Sequence, residues 1–133
     1  MDTVAPYDVM SADCPTRQVL DRLADKWTML VVVALQTGGT LRFSELKRSI
    51  GGVSQKMLTQ TLRALERDGM VDREALPTVP VTVRYTLTPM GHRLATAVSV
   101  IREFAYAHMP EIETARTAYV PPDGSPPTPV ATA

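Results

Sequence analysis

The sequence predicts a mainly α domain interrupted by one small β-hairpin. Three observations carry this. Apolar residues recur at helical spacing over residues 15–68, the period drops to two between Val71 and Leu87, and it returns to the helical value after Thr88-Pro89. A chain of 133 residues with 44% hydrophobic and 21% charged side chains suits one packed unit of this kind.

Cys14-Pro15 opens the first helix, because proline is pre-set for the first helical position, and Val19, Leu20, Leu23 and Trp27 supply an apolar stripe. Thr28 to Gln36 is apolar nearly all round and closes at Gly38-Gly39. It reads as a short buried helix, although the run Val31-Val32-Val33 would also suit a strand. Phe43, Leu46 and Ile50 fall at i, i+3 and i+7 and make an amphipathic helix with Lys47 and Arg48 outside, stopped by Gly51-Gly52. Ser54 then supplies an N-cap oxygen, and Leu58, Leu62 and Leu65 stripe a helix that runs to about Asp68, before Gly69. Helix, three-residue turn and helix over 43–68 is the spacing of a helix-turn-helix, whose second helix presents its outer face to the DNA major groove.

Val71, Arg73 and Ala75 alternate with Asp72 and Glu74 until Pro77 and Pro80 intervene. Val83, Tyr85 and Leu87 then alternate with Thr82, Arg84 and Thr86, which turns a Val/Tyr/Leu face to the core. Together they predict a hairpin, or wing, over 70–88. Thr88-Pro89 starts a long helix over 89–116, with Leu94, Val98, Ile101, Ala105, His108 and Ile112 at spacings of four and three. Pro110 removes an amide donor within that pattern and is expected to kink or shorten the helix. A small domain has few partners for Leu94, Val98, Ile101 and Phe104, so this helix is expected to form the seam of a homodimer. The expected layout is an N-terminal arm over 1–13, a winged helix-turn-helix domain over 14–118, and a disordered, proline-rich tail over 119–133.

The longest nearly uninterrupted apolar run, Trp27 to Leu35, is far below the roughly 20 residues needed to span a bilayer, so no membrane partner is expected. The start, Met1-Asp2-Thr3-Val4, has neither a basic n-region nor an apolar h-region, which points to the cytoplasm. A lone cysteine forbids an internal disulfide and a cysteine cluster for zinc. His92 and His108 have no second ligand at i+4, so no metal or cofactor is expected. Without a convergent acid, base and nucleophile, an enzyme is the poorest reading. Trp27 with Met29 and Leu30 reads as core rather than as an effector pocket, which leaves any small-molecule effector unassigned.

Net charge is zero, yet its distribution is uneven. Residues 42–93 hold nine basic and five acidic side chains, an excess of +4, while residues 1–41 and 94–133 each carry −2. The middle of the chain can therefore face phosphate. Eleven of the fourteen cations are arginine, the residue that bonds phosphate and guanine in a bidentate way.

The order helix, helix-turn-helix, hairpin, long helix is that of a winged helix, and at this point the motifs become specific. Cys14-Pro15, Lys26-Trp27-Thr28, Arg42-Phe43-Ser44-Glu45-Leu46, Ser54-Gln55-Lys56-Met57-Leu58-Thr59, Leu62 to Leu65 with Gly69, and Tyr85-Thr86-Leu87-Thr88-Pro89-Met90-Gly91 occur in order over roughly residues 14–108. On these motifs the chain resembles the HxlR-type transcriptional regulators, winged helix-turn-helix proteins of the MarR-like superfamily. The resemblance implies a bacterial homodimer that binds an inverted repeat in double-stranded DNA, with recognition helices in successive major grooves and wings on flanking minor groove or backbone. It also implies that Cys14, at the Cys-Pro position, is a redox or electrophile sensor. A buried thiol acting as a small hydrophobe is the competing reading. The start of a helix lowers a thiol pKa, while neighbouring Asp13 opposes that effect.

With Leu58, Leu62 and Leu65 turned inward, the opposite face of the recognition helix carries Lys56, Gln60, Arg63 and Arg67, with Gln55 and Thr59 beside them. Gln60 suits an adenine edge and Arg63 a guanine edge, while Lys56 and Arg67 suit phosphates. Ser54 lies where free amides favour a phosphate. Arg42, at the entrance to the helix-turn-helix, and Arg73 and Arg84, on the wing strands, complete the expected DNA-binding set. The wing departs from the family pattern, because Val81-Thr82 follows Pro80 where a basic residue is common, so its contribution is expected to be small. The near-neutral charge and this neutral tip leave one alternative from another class, a winged-helix protein-interaction module that never touches DNA.

Overall fold

The computed structural model describes residues 7–126. Five helices and three short strands follow in the order α1 (Pro15–Leu23), α2 (Lys26–Gly38), β1 (Leu41–Arg42), α3 (Phe43–Ser49), α4 (Gln55–Arg67), β2 (Val71–Leu76), β3 (Thr82–Leu87) and α5 (Pro89–Ala118). The chain divides into two compact units, Met1–Ser99 and Val100–Ala133.

The first unit is the mainly α fold with a β-hairpin that the sequence predicts. Its sheet is antiparallel in the order β1-β3-β2, with Leu41 opposite Tyr85 and Val71 opposite Leu87. β1 is a third strand that the sequence reading lacks. At two residues it has no periodicity of its own, and its place is set by pairing with β3. The core is built from Val31, Val32 and Leu35 of α2, Leu46 of α3, Leu58, Leu62 and Leu65 of α4, and Val71, Tyr85 and Leu87 of the sheet. The run of valines is therefore helical: Asp25 caps α2 by accepting the Thr28 amide at 3.1 Å, and burial of Val31 and Val32 outweighs their strand preference.

Three sequence expectations need correction. Trp27 belongs to α2, not to the stripe of α1, because Ala24 ends α1 and extended Asp25 starts the next helix. On α1, Val19 and Leu20 are exposed, and no residue of that helix is buried. On α5, Leu94 is half-buried against the core and Val98 is buried within the first unit, so only Ile101 and Phe104 of the expected seam are exposed. Pro110 does not shorten α5, which continues to Ala118. A proline costs one helical bond, and the rest of the helix ladder persists around it.

Residues 119–126 form neither helix nor strand. The rest of the proline-rich tail, and residues 1–6 of the arm, lie outside the described residues. No described helix is long and apolar enough to cross a membrane.

Candidate nucleic-acid interface

The geometry of α4 follows from three local choices. The Ser54 side-chain oxygen accepts the Met57 amide at 3.0 Å and starts the helix, and Gly52, at φ 81°, makes the preceding turn. Leu58, Leu62 and Leu65, joined by buried Thr61, then fix the rotation of the helix against the core. At the far end Gly69 adopts φ 77°, which reverses the chain into β2.

That rotation leaves Lys56, Gln60, Arg63 and Arg67 exposed along the outer face. Gln55 and Ser54 are exposed beside them and Thr59 is half-exposed. Lys56 and Arg63 form no ion pair among the described residues, so both charges are available to a ligand. Arg67 is engaged: its Nε lies 3.5 Å from Asp68 Oδ1. The free amides of the first turn and the helix dipole add positive potential at the Ser54 end.

A cleft of about 470 Å³ runs between α4 and the hairpin. Gln55, Thr59 and Arg63 line one wall, and Arg73, Val83 and Tyr85 line the other. Arg73 pairs across the strands with Tyr85, so it lies on the sheet face turned towards α4. Arg84, one register position away, lies on the opposite face, where it pairs with Glu74. Arg42 bonds internally as well: its backbone amide donates to Glu45 Oε1 at 2.9 Å, and its Nε donates to the same oxygen at 3.3 Å. These two bonds, together with the charges of Arg42 and Arg48, hold the Glu45 carboxyl below the usual carboxylate range. The row on α4 and Arg73 thus surround one cleft, whereas Arg42 and Arg84 serve local ion pairs. The hairpin tip is apolar, with Val79 fully exposed and Val81 largely so.

Cys14 is the N-cap of α1 and only 7% exposed. Its Sγ accepts the Asp8 amide at 3.2 Å. Burial pushes the thiol pKa up, but bonds from the Thr16 hydroxyl and from the amides of Asp8, Thr16 and Arg17 outweigh it. The net direction is down, so the opposing charge of Asp13 does not decide it. Among the described residues no group of three His, Cys, Asp or Glu side chains is placed to hold a metal. His108 stacks on Phe104 at 4.6 Å and lies 3.7 Å from Glu111, while half-buried Trp27 packs on the core under the Lys26 ammonium.

Sequence reasoning overlooked Asp68 and Arg22. Asp68 caps the end of α4 and also meets Arg22 of α1, Nε to Oδ2 at 3.6 Å. This contact joins residues far apart in the chain, and no local pattern announces it.

A family model described as HxlR-like helix-turn-helix matches residues 22–113. The HTH-type transcriptional regulator YtfH of Escherichia coli (strain K12) is 43% identical over 109 residues, 82% of this chain and 86% of the relative. Among solved structures, the transcriptional regulator ytfH of Salmonella typhimurium aligns with a TM-score of 0.79 at 40% identity, covering 84% of this chain and 98% of that one. The redox regulator HypR in its oxidized form aligns with a TM-score of 0.61 at 37% identity, covering 71% and 96%. The helix-turn-helix, the hairpin and most of α5 all lie inside the matched span, and the chain belongs to the HxlR-like helix-turn-helix family of transcriptional regulators.

Proposed function

We propose that this chain is a non-enzymatic regulator that binds an inverted-repeat operator as a homodimer, with α4 reading the major groove. The observation that carries the reading is the outward row Lys56, Gln60, Arg63 and Arg67 on a helix whose opposite face is locked into the core. Gln60 and Arg63 serve as base readers, and Lys56 and Arg67 as phosphate neutralisers. Ser54 and Gln55 contact the backbone at the helix start, and Thr59 lies beside the readers. Arg73 approaches from the other wall of the cleft. Arg42 and Arg84 are weaker contributors, because each must first leave a carboxylate.

Dimerisation through α5 is supported by the exposed Val100, Ile101 and Phe104. A thiol with a lowered pKa at Cys14, and likeness to a protein described as a redox regulator, support sensing of oxidants or electrophiles through that residue. Cytoplasmic location follows from the role.

Selection from a random duplex DNA library at physiological salt, with wild type and Arg63→Ala in parallel, tests the reading. The expected result is an inverted repeat with half-sites about one helical turn apart, and a relaxed preference at one position per half-site in the variant. Loss of that contact is expected to cost about 1–3 kcal/mol of discrimination. If reduced, oxidised and aldehyde-treated protein all fail to enrich any sequence, DNA reading is refuted and the protein-interaction module takes its place.

A further inference from the structure

Arg22 and Asp68 stand outside the outward row of α4, yet between them they hold one of its members. Asp68 Oδ1 meets Arg67 Nε at 3.5 Å, and Asp68 Oδ2 meets Arg22 Nε at 3.6 Å. The Asp68 side chain is 27% exposed and that of Arg22 34%, whereas Arg67 reaches solvent at 63%. Asp68 is therefore the anchored partner and Arg67 the movable one. Arg22 is fixed from the other side: it sits in the last turn of α1, and its Nη1 is buried with no hydrogen-bond partner among the described residues. A guanidinium packed in this way depends on the Asp68 charge more than a freely solvated one does.

One carboxylate shared by two guanidiniums leaves the trio with a formal charge of +1. Removing the Asp68 charge leaves both cations uncompensated. Removing the Arg22 charge leaves Arg67 as the sole partner of Asp68 and neutralised by it. To reach a DNA phosphate, Arg67 must exchange the carboxylate for a phosphate oxygen, and competition from Arg22 for the same carboxylate eases that exchange. We propose that Arg22 and Asp68 are positioning residues that set how much of the Arg67 charge is available to DNA, without touching DNA themselves. The proposal rests on the reading of α4 as the DNA-facing helix. Partly exposed pairs of this kind shift an equilibrium by about fivefold at most, so the trio acts as a tuning device, not a lock.

The test is a fluorescence-anisotropy titration of the full chain on a random-sequence duplex, over salt from about 50 to 200 mM. Wild type, Asp68→Asn and Arg22→Gln are each measured with Arg67 intact and with Arg67→Ala. Each phosphate neutralised adds about 0.9 to the log–log salt slope, or roughly 3.5-fold in affinity across that range. Asp68→Asn is expected to bind tightest and steepest, by up to about 0.9 in slope, and Arg22→Gln weakest and shallowest. Both differences are expected to disappear in the Arg67→Ala background, where a merely structural or long-range charge effect would remain. Equal slopes with Arg67 intact, or effects undiminished by Arg67→Ala, overturn the proposal. Thermal melts monitor folding; where Asp68→Asn does not fold, Arg22→Gln against charge-preserving Arg22→Lys decides, with only the lysine variant expected to keep the wild-type slope. If wild type shows no salt-dependent binding at all, the DNA-binding reading falls, and this proposal falls with it. Salt-dependent wild-type binding with equal slopes in the variants overturns this proposal alone.

Discussion

Phe104 is 60% exposed on α5, beside Val100 at 63% and Ile101 at 57%. A phenylalanine side chain carries roughly 150–250 Å² of surface, so about 120 Å² of this one is open in the protomer. At about 25 cal/mol/Å², covering that area with a second copy contributes about 3 kcal/mol. A two-fold interface counts each side chain twice, which gives about 6 kcal/mol before the costs of ordering and imperfect packing are subtracted. Phe104→Ala, which leaves the β-carbon, is therefore expected to weaken dimerisation by at least about 100-fold, or 2.7 kcal/mol. The ring stacks on His108 at 4.6 Å, an interaction of about 1 kcal/mol or less, so the stability of the separated protomer is expected to change little. Sedimentation equilibrium from nanomolar to micromolar protein measures the association, and a chemical melt below the dissociation constant measures the protomer. A wild type that is monomeric at micromolar concentration would refute the seam. So would a variant whose association is unchanged.

Two further predictions test the fold and the thiol. A β-carbon at Gly91 would overlap the carbonyl oxygen of Met70, which already accepts the Thr88 amide at 3.0 Å, so Gly91→Ala is expected to cost about 1–3 kcal/mol despite alanine's better helix propensity; an unchanged urea midpoint would contradict this. For Cys14 the folded pKa is lowered, so the stabilisation linked to it is present above the unfolded value and lost as pH falls through the folded one; iodoacetamide alkylation of native protein should show its midpoint below the roughly 8.5 of the unfolded thiol, and an equal or higher midpoint would count against the bonding around Sγ.

The parts of the fold legible in the sequence are those where several local signals agree. For α4 the Ser54 cap, the leucine stripe and the Gly69 reversal all specify the same helix, and the structure places it at Gln55–Arg67. The hairpin is legible for the same reason, since alternation and flanking prolines coincide. What was not legible depends on contacts between distant residues. β1 exists because Leu41 and Arg42 find Tyr85 and Arg84, and the burial of Val98 depends on a core assembled from other elements. The candidate site divides along the same line. Exposure of Lys56, Gln60, Arg63 and Arg67 follows from helical rotation alone, but the state of each cation depends on its neighbour. Arg84 reads as free until the register sets Glu74 opposite it, and register follows from the turn as well as from the alternation.

Zero net charge and a DNA-reading role are compatible because ion pairing, not composition, decides which cations remain available. Arg42 is held by Glu45 and Arg84 by Glu74, while Arg22 and Arg67 share Asp68. Each of these pairs stabilises the fold modestly at best, being surface-exposed, but each removes a cation from indiscriminate contact with phosphate. On α4 the unpaired cations are Lys56 and Arg63, which stand next to the base-reading position Gln60. A protein with few uncommitted cations pays less counterion-release affinity to random DNA than one making 6–10 phosphate contacts. Its preference for an operator then rests largely on the few side chains that reach base edges. On this argument the carboxylates around α4 are part of the specificity: they weaken the sequence-independent binding against which Gln60 and Arg63 must discriminate.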